Sequence, residues 1–184
     1  MIRTTNRARS GASDDANRRD RICAHPRAAH GFGVMKFPLL TLFLFAFAGL
    51  TAAQAKPRVI EIVASDAMNQ MKYNVTKLEA KAGEEITVVL TNAGTLPKEA
   101  MGHNWVLLKA GTDAAAFANA AAVARDTDYI PPSMKDRVIA SVPVLGPRKS
   151  GQVTFKAPAA GEYVFLCSFP AHFASGMKGT LVVK

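Results

Sequence analysis

Cysteine is scarce in this chain: two residues in 184, Cys23 and Cys167. That excludes a disulfide-stapled scaffold and a site built from several thiolates. Histidine is nearly as scarce. Of the four, His25 and His30 lie in the front segment, and only His103 and His172 lie in the body. Aromatic residues are missing before Phe32, so the basic run Arg18-Arg19-Asp20-Arg21 lacks the stacking groups of a nucleic-acid surface. The net charge of +9 is therefore not a nucleic-acid footprint. Residues 1–55 carry eight Lys/Arg and three acids; residues 56–184 carry fifteen and eleven, a net charge of only +4. Internal repeats are lacking, and 184 residues suffice for one domain.

Long apolar runs are also rare. The one present, Phe37 to Leu50, follows Met35-Lys36 and precedes Ala53-Gln54-Ala55. A charged start, an apolar stretch and a small-x-small site make a secretory signal peptide. The run falls short of the roughly 20 residues that a membrane span needs. Residues 1–34 are expected to be a non-globular leader or a misassigned start, 35–55 the signal peptide, and 56–184 the folded domain. Cleavage would leave a periplasmic or secreted protein with no membrane attachment and with Cys167 as its lone cysteine.

The body alternates and is rich in β-branched residues. Strands are expected at 58–64, 72–79, 85–91, 104–108, 138–142, 151–156, 161–167 and 179–184, separated by Gly, Pro, Asn or Asp turns. The fold class is all-β: a Greek-key sandwich or barrel of about eight strands. One helix interrupts it at the alanine-rich stretch 113–124, with Thr112 or Asp113 as N-cap and Arg125 in the last turn.

The chemistry concentrates between the last two strands. Cys167-Ser-Phe-Pro-Ala-His172-Phe-Ala-Ser-Gly-Met177 offers a thiolate, an imidazole and a thioether in one loop, and His103 adds a second imidazole at the start of a mid-chain strand. Each residue alone has an ordinary reading: a small buried hydrophobe, a hydrogen-bonded histidine, a core methionine. Together they make the ligand set of a blue-copper site, two His and one Cys with a weak axial Met. Soft sulfur ligands suit Cu(I), and imidazole suits both copper states. Structural zinc prefers four firm Cys/His ligands, of which Met is not one. Trp105, Tyr163 and Phe165 read as core.

These residues resemble the cupredoxins, and among them the azurin and auracyanin type. The resemblance is carried by Leu96-Pro-Lys-Glu-Ala-Met-Gly-His-Asn-Trp-Val106, by Asp128-Tyr129 to Arg137-Val-Ile-Ala140, and by Cys167 to His172 with Met177-Lys-Gly-Thr-Leu-Val-Val. It implies one copper ion held by His103, Cys167, His172 and Met177, with the Gly102 carbonyl as a weak axial contact. It also implies that Asn104, aided by Ser168, ties the two ligand segments together. The chain departs from azurin in lacking a disulfide near its start and in having four residues between His172 and Met177, an auracyanin-like gap. Asn92 stands where azurin has a titrating His, so no pH switch is expected there.

The expected function is single-electron transfer between redox proteins by a monomer, without bond-making catalysis. Docking is expected at an apolar patch of Met101, Pro170, Ala171, Phe173 and Ala174 around His172; Phe173 could equally pack against the helix. The alternative is a copper chaperone or buffer, for which Met68 and Met71 are thin support. Multicopper enzymes need more histidines than two.

Overall fold

A computed structural model describes residues 56–184. The leader and signal-peptide expectations fall on 1–55, outside the described residues. Eight strands form two sheets: β1 (Arg58–Ala64), β2 (Lys77–Ala80), β3 (Glu85–Asn92), β4 (His103–Leu108), β5 (Val138–Leu145), β6 (Ser150–Lys156), β7 (Gly161–Leu166) and β8 (Lys178–Val183). One sheet has the order β1-β3-β6 and the other β2-β8-β7-β4-β5. The pairs β1–β3 and β2–β8 are parallel, and the rest are antiparallel. The expected β-sandwich is therefore the observed architecture.

Apolar residues on alternate positions close the core between the sheets. Ile62, Ile86, Val88, Leu90, Trp105, Leu107, Val142, Phe165 and Leu181 are buried there. Strand β6 alternates between exposed and half-buried positions along its length, as a strand with one wet face should. Strand β4 does not alternate; all six residues are buried. Its second face is covered by α2 (Ala114–Ala121), whose Phe117 packs with Val106, Leu108 and Leu166. Burying one such phenylalanine contributes about 1.5–3 kcal/mol, enough to fix a short helix on the sheet.

Two local expectations need correction. The helix ends at Ala121, and Arg125 opens a separate 3-10 turn, Arg125–Thr127. Beyond Ala121 nothing anchors the helix, since Val123 points into solvent, and alanine propensity alone does not sustain a short helix. Asp113 is the N-cap, accepting from the Ala115 and Ala116 amides. The second correction concerns 72–76, which does not join a ladder. Asn74 accepts the Val63 amide with its side chain at 2.7 Å, and Tyr73 makes only an isolated bridge to Ala64 before turning inward.

A second helical turn, α1 (Lys98–Met101), delivers Gly102 to the start of β4. A Cβ on Gly102 would lie 2.6 Å from the Lys98 carbonyl oxygen and 2.5 Å from Val144, so only glycine fits between them. β4 begins, β7 ends and β8 begins at one end of the sandwich.

Candidate metal centre

His103 is the first residue of β4, Cys167 follows the last residue of β7, and Met177 precedes the first residue of β8. His172 lies in the loop between. The ligand atoms of His103, Cys167 and His172 lie within 4.8 Å of one another, and Cys167 Sγ is 3.3 Å from His172 Nδ1. All three are buried, as is Met177. The loop is held to this shape by its own backbone. Cys167 N–H donates to the Met177 carbonyl at 3.1 Å, Met177 N–H to the His172 carbonyl at 3.0 Å, and His172 N–H to the Phe169 carbonyl at 3.1 Å.

Burial sets the protonation states. It pushes the Cys167 thiol up to about 12, although the backbone N–H groups of Asn104 and Phe169 oppose this. It lowers His103 to about 4; His172 falls to about 3 through burial and then through the neighbouring His103 charge. The imidazoles are therefore neutral, which is the ligating form, and a metal must displace the thiol proton. Both ring nitrogens of His103 are buried without a hydrogen-bond partner. Such a group costs several kcal/mol in an apolar environment unless something coordinates it. A soft cation among two imidazoles, a thiolate and a thioether meets that need, so the residues present fit copper.

The expected polar tie is present. Asn104 donates its side-chain N–H to Ser168 Oγ at 2.8 Å, and the Ser168 amide donates to Asn104 Oδ1 at 2.8 Å. Sequence reasoning missed what holds this pair. Asn104 also donates to the Asp128 carbonyl at 3.0 Å, and Ser168 Oγ to the Tyr129 carbonyl at 2.6 Å. Asp128 and Tyr129 reach these positions with φ of 52° and 58°. The Tyr73 hydroxyl donates to the Asn104 carbonyl. No sequence signal marks a carbonyl acceptor.

Gly102 is buried beside His103. Asn92 is buried, donating to the Leu145 carbonyl and accepting the Gly94 amide, and has no proton to titrate. Of the apolar residues around His172, Ala171 and Ala174 are exposed, while Met101 and Pro170 are half-buried. Phe173 is half-buried as well and packs on the cluster around Phe117, with the Lys178 ammonium 4.5 Å from its ring centroid.

Two antiparallel-rich sheets that gather His, Cys, His and Met at one end define a mononuclear soft-metal β-sandwich protein. Known proteins agree. Residues 60–184 match the model of the copper binding proteins of the plastocyanin/azurin family. An azurin from Pseudomonas chlororaphis is 41% identical over 123 residues, 65% of this chain and 94% of its own. Auracyanin-B from Chloroflexus aurantiacus is 36% identical over 118 residues, 64% of this chain and 49% of its own. Among solved structures, a dithionite-reduced auracyanin from Roseiflexus castenholzii is similar with a TM-score of 0.62 and 37% identity, covering 71% of this chain and 99% of that one. The chain belongs to the plastocyanin/azurin family of copper-binding proteins. It is a blue-copper cupredoxin, and copper is its cofactor.

Proposed function

We propose that the protein is a type 1 copper electron carrier, exported to the periplasm, that passes single electrons between redox proteins and turns over no substrate. The observation that carries this reading is the dry convergence of His103, Cys167 and His172 within 4.8 Å, with Met177 buried and hydrogen-bonded through its backbone to Cys167 and His172. His103, Cys167, His172 and Met177 would hold the ion, with the Gly102 carbonyl as a further weak contact. When bound, copper supplies a one-electron Cu(II)/Cu(I) couple. The chain's own part is to keep the ligands fixed. The loop hydrogen bonds and the Asn104–Ser168 tie hold the sulfur and imidazoles in place, so both charge states meet the same shell. Burial of these residues would keep water off the ion. With Met177 as a fourth ligand, the shell would have no open position for a substrate, in contrast to catalytic metal sites.

Redox partners would dock transiently, with the protein acting as a monomer. The docking face is the apolar rim around His172: Met101, Pro170, Ala171 and Ala174, with Phe173 contributing its solvent-facing edge. Small, weak apolar contacts of this kind suit brief redox encounters.

The test is the visible spectrum of the purified protein after addition of Cu(II), beside Cys167→Ser. An intense thiolate-to-copper band that the substitution abolishes, with reversible one-electron cycling, is expected. A pale spectrum indifferent to Cys167→Ser would overturn the reading.

A further inference from the structure

Tyr73 comes from a part of the chain that the copper site has no obvious use for, the connection between β1 and β2. Its ring is 5% exposed and meets Phe165 at 5.8 Å between centroids. Its hydroxyl donates to the backbone carbonyl of Asn104, 31 residues away. The reason that this carbonyl needs an outside donor lies in the sheet. The β4–β5 ladder pairs His103 with Leu145 and Trp105 with Val142, so its register slips at Asn104. The β5 residues left between those pairs are Pro143 and Val144, and proline has no N–H to donate. On the other side of β4, pairing with β7 begins only at Val106. A buried carbonyl outside the regular ladders must find another partner or cost about 1–3 kcal/mol.

Asn104 is also the residue with most to do at the site. Its side chain grips Ser168, the residue after Cys167, and the Asp128 carbonyl, and its backbone N–H acts on the Cys167 thiol against the effect of burial. Whatever fixes the Asn104 backbone therefore fixes the hydrogen bond on the sulfur. We propose that Tyr73 is a positioning residue for the copper thiolate: its hydroxyl holds the Asn104 carbonyl at the slipped register and so keeps the Asn104 amide on Cys167. This rests on Cys167 being the copper ligand. A hydrogen bond withdraws charge from the thiolate and favours Cu(I) over Cu(II). Burial keeps the phenol neutral, its pKa well above the usual value, so the donor is not lost to ionisation.

The experiment compares wild type, Tyr73→Phe and Tyr163→Phe. Tyr163 is the control, because its hydroxyl also donates to a backbone carbonyl, that of Ala159 at 2.8 Å. It sits four residues before Cys167 on an extended strand, about 13 Å along the chain from it. Both substitutions should lower the denaturation midpoint, but only Tyr73→Phe should move the metal. The expected result is a fall in reduction potential of about 28 mV, a threefold shift toward Cu(II) at 59 mV per tenfold, with a displaced thiolate-to-copper band. Equal potentials in Tyr73→Phe and wild type, or equal shifts in both variants, would overturn the proposal. Failure of the copper reading is separate: it appears as a missing blue band in wild type. Should Tyr73→Phe not fold, proton NMR of the wild-type Cu(I) protein decides. Slow exchange of both the Tyr73 hydroxyl and the Asn104 amide supports the clamp, and solvent-rate exchange of either refutes it.

Discussion

The two ends of the sandwich solve the same problem, reversing the chain, with different materials. At the end away from the metal centre, the turns that need positive φ use glycine: Gly83, Gly111 and Gly161. At the metal end the positive-φ residues other than Gly176 carry side chains: Ser65, Asn69, Asp128, Tyr129, Arg148 and Ala171. A side chain in that region costs about 1 kcal/mol or more where glycine would cost nothing. The polar groups differ in the same sense. Exposed ion pairs occur at both ends, Lys184 with Glu79 at 2.8 Å and Arg58 with Glu84 at the far end, Lys98 with Asp128 at 3.6 Å at the metal end, so the difference lies in the buried polar groups. The metal end buries Asn104, Ser168, Asn92 and two histidines. One end is a cheap closure; the other accepts strain and desolvation to hold four side chains on a point.

That contrast can be broken most strongly with acid and base. Without metal, His103 and His172 are held at about 4 and about 3, below the ordinary value of 6.5. The unfolded chain therefore takes up protons first as pH falls. Stability is full above about pH 6.5 and is lost progressively below it, until the folded histidines also protonate. Cys167, raised from 9.0 to about 12, acts in the other direction: the unfolded thiol ionises first, so stability declines above about pH 9. The denaturation midpoint of metal-free protein should show a plateau between these limits and fall on both sides. A midpoint unchanged from pH 7 to pH 5 would mean that the histidines are not desolvated as described. Copper should push the acid limb to lower pH, because the ion competes with the protons.

Much of this comparison was legible in the sequence, and the rest was not, for a physical reason. β-Branched and apolar runs bounded by turn residues marked all eight strand regions, β1 to the residue, although β2 was expected to begin five residues too early and β4, buried on both faces, shows no alternation. The Cys–His–Met loop was legible because ligands require particular residue types at close spacing. What stayed hidden is carried by backbone. The Asp128 and Tyr129 carbonyls and the Asn104 carbonyl have the same chemistry in any sequence, and only the fold brings donors to them. Tyr73 was hidden for the same reason. Its surroundings read as a continuous strand, 72–79, whereas side-chain bonds of Tyr73 and Asn74 replace the ladder there. The extra helical turn expected after Ala121 failed because propensity was counted without an apolar anchor.

A smaller effect tests whether the metal end is also the working face. Ala171 is exposed and has a φ of 67°, a conformation that aspartate adopts more readily than alanine. Ala171→Asp should therefore fold normally and leave the copper band unchanged. A charge in an apolar contact should slow electron exchange with a partner by about tenfold, equivalent to ~1.4 kcal/mol. Unchanged rates with an unchanged spectrum would move the docking face elsewhere.

The smallest effect belongs to the far end. Glu79 lies between two lysines, Lys184 at 2.8 Å and Lys77 at 3.7 Å, and its carboxyl is held below the usual range, chiefly by its hydrogen bond to Lys184. Its position suggests a keystone, since it also joins the end of β2 to Lys184. Its side chain is 53% exposed, however, and that of Lys184 67%. Water screens such pairs, and ordering two long side chains offsets most of the attraction. Glu79→Gln should leave the denaturation midpoint within experimental scatter at physiological salt, and the reduction potential untouched. A clear loss of stability would show that the far end, too, depends on particular polar contacts, and the contrast between the two ends would then rest on backbone strain alone.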